Sequence, residues 1–165
     1  MHFLLGARLR SVKEIYETVL SRAGRYREVR GPREKSTDPS PLKVKEVWVE
    51  KRRYVVCLNE EQAKKDRADR EAILAALRAQ LPRGDKSLVG NKGYRKFLAA
   101  DGRHFTIDEA KVKWEERFDG KWVLQTDLED LSAEDTALQY KQLWMVKVCG
   151  AGRTGHGQFE YPFAC

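Results

Sequence analysis

Carboxylates gather in the second half of the chain, at Asp108-Glu109, Glu115-Glu116, Asp119 and Glu129-Asp130. Chemistry with two metal ions needs acidic side chains converging on ions about 4 Å apart. Read as strands, these segments turn their carboxylates to both faces alternately, the pattern of solvated faces and turns. The cysteines, Cys57, Cys149 and Cys165, are odd in number, and no two stand at metal-ligand spacing. The histidines, His2, His104 and His156, are far apart. Reduced structural thiols are the plainer reading than a zinc site. Arg83-Gly84-Asp85 follows a predicted helix end and reads as a turn. Gly84-Asp85-Lys86-Ser87 lacks the first glycine and the strand-to-helix setting of a phosphate loop.

Tyr140, Trp144 and Lys147 lie at helical spacing and share one face of a predicted last helix. A Tyr and a Trp on a basic helix can hydrogen-bond a phosphate and stack on a base. The same spacing serves equally for core residues. Lys51-Arg52-Arg53 is the densest basic run of the first third and is expected to meet phosphates.

Charge is distributed unevenly. The formal net charge is +7. Residues 1–58 hold 14 Lys+Arg against 7 Asp+Glu, a net of +7, whereas residues 59–165 hold 18 of each, a net of zero. A basic segment attracts phosphate backbones because binding releases condensed counterions; a solvated basic surface has the same composition. No apolar run approaches the roughly 20 residues that a membrane span requires. The apolar stretch Phe3-Leu4-Leu5 is too short for a signal peptide, so a cytoplasmic protein is expected. With a hydrophobic fraction of 41%, the 165 residues can bury one core.

The elements that must position these groups read as α+β, with antiparallel hairpins between helices. Phe3-Leu4-Leu5 predicts a short buried strand. Ser11 with Glu14 resembles a capping box, opening a helix with Ile15, Val19 and Leu20 on one face and Gly24 as its stop. Residues 30–41 carry three prolines and are expected to form a mobile polar loop. Val44, Val47, Val49 and Tyr54-Val55-Val56 alternate with charges and predict a hairpin over 43–58. Asn59, with Gln62 at the box position, opens a long helix whose stripe is Ile73, Leu74, Leu77 and Leu81. Pro82 and Gly84 end it, and its face from Lys64 to Arg70 is expected to be solvated. Residues 86–98, with their glycines, suggest turns around a short strand or helix. Phe105 and Ile107, then Val112 and Trp114, then Trp122-Val123-Leu124 read as strands, with Asp119-Gly120 as a hairpin turn. Ser132 and Asp135 start the last helix, and beyond Lys147 the glycines lose all apolar period.

Six stretches, taken together and in order, resemble the DDE transposases of bacterial insertion sequences, in the group that carries a β-rich insertion. They are Leu4-Leu5-Gly6-Ala7-Arg8-Leu9-Arg10, Val44-Lys45-Glu46-Val47, Arg53-Tyr54-Val55-Val56-Cys57, Leu88-Val89-Gly90-Asn91-Lys92-Gly93-Tyr94-Arg95, Phe118-Asp119-Gly120-Lys121-Trp122-Val123-Leu124 and Tyr140-Lys141-Gln142-Leu143-Trp144-Met145-Val146. The resemblance implies a ribonuclease H-like catalytic part in which two Asp and one Glu hold two divalent ions, usually Mg²⁺, for phosphodiester cleavage and strand transfer. The β-rich insertion lies between the second Asp and the Glu, and this chain resembles that insertion with its flanks. Both Asp positions would then precede Met1.

In the family the last helix bears a signature of Tyr, Arg, Glu and Lys. Tyr140 matches the Tyr, Leu143 stands at the Arg, and Trp144 matches an aromatic that holds a flipped base. Lys147 stands at the Glu, and Thr154 falls at the register of the final Lys. A lysine is cationic at neutral pH and offers no oxygen to a hard metal ion. The resemblance therefore implies an inactive remnant, or a frameshifted frame, with no metal cofactor of its own. Its expected partners are DNA, bound weakly, and the intact transposase.

The expected organisation is a basic strand-helix segment with its Pro-rich loop (1–42), a β-rich centre with one long helix (43–128), a final helix (129–147) and a disordered glycine-rich tail (148–165). The final helix would dock poorly, leaving Leu138, Leu143, Trp144 and Met145 to promote self-association.

Overall fold

The computed structural model of the chain describes residues 2–83, 91–101 and 104–150, the side chains of 101 and 144–150 excepted. The expected features at Leu88-Val89-Gly90, Arg83-Gly84-Asp85 taken as a whole, and the tail beyond Gly150 lie outside the described residues.

The alternation over 43–58 does form a hairpin. Strand β3 (Leu42–Val49) and strand β4 (Arg52–Leu58) pair antiparallel from Lys43 opposite Leu58 to Val49 opposite Arg52. Glu50 takes the positive φ of the tight connection, 55°. This pair is the centre of a five-stranded sheet. Strand β2 (Arg27–Arg30) adds to β3 with a register shift between Glu28 and Arg30. On the other side, β7 (Lys121–Thr126) pairs with β4, and β1 (Leu4–Ala7) pairs with β7. The order is β1-β7-β4-β3-β2, every pairing antiparallel. The fold is α+β, as the sequence predicts.

Period-two alternation gives each strand two faces, and both are covered. On one face Leu42, Val44, Val55, Cys57, Trp122 and Leu124 pack with Ala133 and Ala137 of the last helix, α4 (Ala133–Gly150). On the other, Val47, Val49, Tyr54, Val56 and Val123 pack with Ile15 and Val19. Those two residues bound a single π-helical turn, Ile15–Val19. The expected capping box at Ser11 and Glu14 does not form: Glu14 instead accepts a hydrogen bond from the Tyr54 hydroxyl at 2.9 Å and pairs with Arg52 at 2.9 Å. A buried tyrosine needs a partner for its O–H, and that need outweighs a surface cap.

Between β4 and β7 the chain leaves the sheet and builds a separate lobe. Helix α1 (Glu60–Gln80) is capped by the Asn59 side chain, which accepts from the Glu61 and Gln62 N–H groups. A 3₁₀ turn, Leu81–Arg83, follows it. Helix α2 (Lys92–Arg95) precedes the hairpin of β5 (Leu98–Asp101) and β6 (His104–Ile107). Helix α3 (Glu109–Glu116) completes the lobe. Leu74, Leu77, Phe97, Leu98 and Val112 form its core, flanked by Ile73 and Leu81 of the predicted stripe.

Three expectations are corrected here. Val112 and Trp114 lie on a helix, not a strand, because the Asp108 side chain caps the Ala110 and Lys111 N–H groups. Asp119-Gly120 joins helix to strand and is not a hairpin turn. Gly120 has φ +61°, donates to Asp66 at 2.8 Å and accepts from the Asn59 N–H at 2.8 Å. The charged face of α1 is solvated only in part: Arg70 is buried and holds Asp119 through two bonds of 2.6 and 2.8 Å.

Segments expected to be separate share this structure. β1 and the π turn belong with 43–58 in one sheet and its covers. β1 is less buried than expected, with Leu5 57% exposed at the sheet edge. The Pro-rich loop is tied down by Asp38, which accepts from the Glu34 and Lys35 N–H groups, and by Arg33, which bonds Ser40 and pairs with Glu61. The first half of α4 is docked on the sheet, contrary to the expected poor docking, because Ala133, Thr136 and Ala137 are small enough to lie flat on it.

Candidate nucleic-acid interface

The hairpin connecting β3 to β4 presents Lys51 and Arg52 to solvent but withdraws Arg53. Arg53 faces the same side of the sheet as Val55 and Cys57, where α4 approaches. Its guanidinium pairs with Glu46 at 2.5 Å and donates to the carbonyls of Leu128 and Leu131, the latter at 2.7 Å. Its two terminal nitrogens serve the connection between β7 and α4, and its Nε serves Glu46 of β3. The expectation that Arg53 contacts DNA is therefore corrected: it is a buried tie. Arg52 is partly neutralised by Glu14 and Glu50. Lys51 remains exposed and unpaired among the described residues.

Tyr140 does not stand free on the helix surface either. Its ring packs against the core under β1, where a Cβ added at Gly6 would fall 2.4 Å from the Tyr140 hydroxyl oxygen. Burial pushes the phenol's pKa up. The side chains of Trp144 and Lys147 lie outside the described residues, so the expected grouping of Tyr140, Trp144 and Lys147 is placed only by the helical backbone of α4. Leu143 is 61% exposed.

Much of the positive charge in the first third is used internally. Arg10 pairs with Glu115, Arg27 with Glu134, Arg33 with Glu61 and Lys43 with Glu60. Glu115 is pushed up by burial, but the Arg10 hydrogen bond and charge, with Lys96, hold it below the usual carboxylate range. Lys45 is buried, donates to the Arg22 carbonyl at 2.6 Å and lies over the Tyr26 ring. Clustered basic composition thus overstates the cationic surface.

One group of cations escapes this pairing. Lys141 lies 5.3 Å above the Trp122 ring. Burial pushes its ammonium below the usual lysine range, and the charges of Arg30 and Arg33 push it further. Neither Arg30 nor Lys141 has a carboxylate within ion-pair distance among the described residues. Sequence reasoning missed Lys141, although it is seven positions after Glu134 and therefore on the same side of α4.

Among the described residues, no three His, Cys, Asp or Glu side chains are grouped so as to hold a metal ion. Cys57 is buried, and burial pushes its thiol up, away from reactivity. No described helix is long and apolar enough to cross a membrane. No protein-family model, curated protein or solved structure matches the chain.

Proposed function

We propose that this chain is a piece of an insertion-sequence DDE transposase, the β-rich insertion and last helix of a ribonuclease H-like catalytic domain, without DNA-cleaving activity of its own. The observation that carries the reading is the packing of Tyr140 on Gly6. Those residues belong to the last and first of the six stretches that resemble the family, and they are in contact. Three further stretches supply β3, β4 and β7, the strands lying between β2 and β1. Five of the six stretches thus lie in one sheet and its covering helix, and Lys92–Arg95 of the remaining one forms α2. The reading does not rest on an unpartnered helix, since α4 finds its sheet within the chain.

Inactivity follows from chemistry. Lys147 stands where the family places the metal-binding Glu, and a cation there repels Mg²⁺ instead of binding it. The purified chain, given Mg²⁺ or Mn²⁺ and element-end DNA, is expected neither to nick nor to join it. Metal-dependent cleavage that survives stringent purification overturns the assignment of inactivity. The DNA flanking the coding region tests the relationship itself: codons for the two Asp on one side and for a Glu-bearing helix in another frame on the other are expected.

The unpaired cations Arg30 and Lys141 favour a second reading, a DNA-binding module that inhibits transposition by occupying DNA ends or pairing with the intact enzyme. Gel-shift competition between the chain and an active transposase for the same ends separates it from an inert remnant.

A further inference from the structure

We propose that the outer edge of β1 is a self-association surface. It takes β1 of a second copy of this chain, antiparallel, with Leu5 opposite Leu5 about a two-fold axis. The proposal is independent of the transposase reading above.

β1 ends the five-stranded sheet on one side. Its pairing with β7 uses one line of backbone N–H and C=O groups, and the other line is open among the described residues. Exposed edges are commonly guarded by charge, proline or a bulge. β2, the opposite edge, has Arg27, Glu28, Arg30 and a register shift. β1 has Leu4-Leu5-Gly6-Ala7 and none of these. Its side chains alternate between the two faces. Leu4 and Gly6 turn to the face that α4 covers, where Tyr140 lies against Gly6. Phe3, just before the strand, then Leu5 and Ala7 turn to the other face. Ile15 and Val19 cover the middle of that face but leave its margin open, with Phe3 37% and Leu5 57% exposed. An apolar margin beside an unguarded edge leaves water when another strand continues the sheet.

The strand that fits is β1 itself. With the axis at Leu5, Phe3 falls opposite Ala7 of the second copy, and Ala7 opposite its Phe3. The six side chains make one apolar row on one face, a large residue opposite a small one at each end. The same register complements charge. Arg8, directly after the strand, is exposed and has no carboxylate within ion-pair distance among the described residues. It falls opposite His2 of the second copy. Beside His2 stands Asp127, which accepts from the Phe3 N–H at 2.7 Å and lies 3.5 Å from the His2 ring. Each Arg8 is thus brought toward the Asp127 of the other copy, and the two-fold axis makes the contact twice. Arg10, the next cation along, is already held by Glu115.

The test is the mass of the full chain in solution, by sedimentation velocity over a wide range of concentration. A monomer–dimer equilibrium is expected. Leu5→Lys sets two ammonium groups opposite one another at the axis and is expected to leave only monomer, still folded by circular dichroism. Leu143→Ser, on the exposed part of α4, is expected to keep the dimer. Cross-linking reads the register. In a Cys149→Ser, Cys165→Ser background, Leu5→Cys is expected to oxidise to a covalent dimer, because directly opposed Cβ atoms lie within disulfide reach, whereas Ala7→Cys is not. A wild-type chain that is monomeric at every concentration overturns the proposal. So does a dimer that survives in Leu5→Lys, which places the contact elsewhere, or one that is lost in Leu143→Ser, which moves it to α4. Cross-linking by Ala7→Cys and not by Leu5→Cys overturns the register. A chain that stays monomeric alone and forms a complex only with intact transposase overturns the second copy as the occupant.

Discussion

Arg53 illustrates how far a residue's neighbours in sequence mislead about its surroundings. In Lys51-Arg52-Arg53 the three cations look equivalent, and only the parity of the strand separates them. Lys51 sits in the turn, Arg52 on one face, and Arg53 on the face that α4 and its connection cover. Removing one partner of a buried, hydrogen-bonded pair costs roughly 3–5 kcal/mol, less here because Glu46 is a third exposed. Arg53→Met is accordingly expected to destabilise strongly, Lys51→Met by no more than about 0.5 kcal/mol. Urea unfolding of the two variants checks this, and equal midpoints would put Arg53 back on the surface. The same comparison guards DNA-binding work, since loss of binding in Arg53 variants would report unfolding. Arg70 was illegible for a related reason. Its partner Asp119 lies on a different element, and nothing in the local run Lys64 to Arg70 distinguishes the buried cation from its solvated neighbours.

At the scale of elements, the sequence spoke clearly where the signal was local. Asn59 caps α1 as expected, the stripe of α1 faces the lobe core, and Ser132 caps α4 by accepting from the Asp135 N–H. Helix α3 was misread because Val112 and Trp114 are two apart, the spacing of a strand, whereas the deciding feature was the capping carboxylate of Asp108. Helix α4 was read correctly at its start, but it runs to Gly150 where the expected helix ended at 147, and its docking was misread. Its apolar side chains Leu138 and Leu143 suggested a face in want of a partner; Leu138 packs on the core beside the buried Ala133 and Ala137, while Leu143 is exposed. Small residues give a weak apolar signal in sequence and a close approach in structure. Ala137→Leu is therefore expected to cost roughly 1–3 kcal/mol through overpacking, and Leu143→Ser close to nothing. Hydrogen exchange on the unmodified chain should find the amides of 137–141 as well protected as those of 74–77. Fast exchange there would restore the poorly docked helix.

The whole molecule could not be assembled from the sequence because its principal pairings are long-range. β1 meets β7 from the opposite end of the chain, and β7 returns to β4 only after residues 59–120 have made a lobe of their own. Strand propensity carries no information about such partners. The two edges of the sheet also differ. β2 is guarded by Arg27, Glu28, Arg30 and a register shift, whereas β1 offers Leu4-Leu5-Gly6-Ala7 without a charge. Charged, bulged edges resist pairing with other chains and plain ones invite it, so any self-association is expected at β1 and not at the last helix.

The closure of the lobe on Gly120 has a consequence for the order of folding. Leu58 and Lys121 are direct partners across β4 and β7, yet the chain between them is long. Bringing those strands together first would require closing that entire loop before any contact rewards it. If the lobe forms first, the Asn59–Gly120 hydrogen bond and the Arg70–Asp119 clip already hold the two ends side by side. The lobe then acts as a template, and the sheet zips from it. Gly120→Ala tests the order, since its Cβ would fall 2.2 Å from the Asn59 carbonyl oxygen at a φ of +61°. Strain of this kind costs on the order of 1–3 kcal/mol, and it should appear almost wholly as slower refolding with an unchanged unfolding rate. Leu5→Ala, at the strand added last, should do the reverse and speed unfolding alone. Stopped-flow chevrons of the two variants decide it, and an exchange of the two patterns would mean that the sheet forms before the lobe that interrupts it.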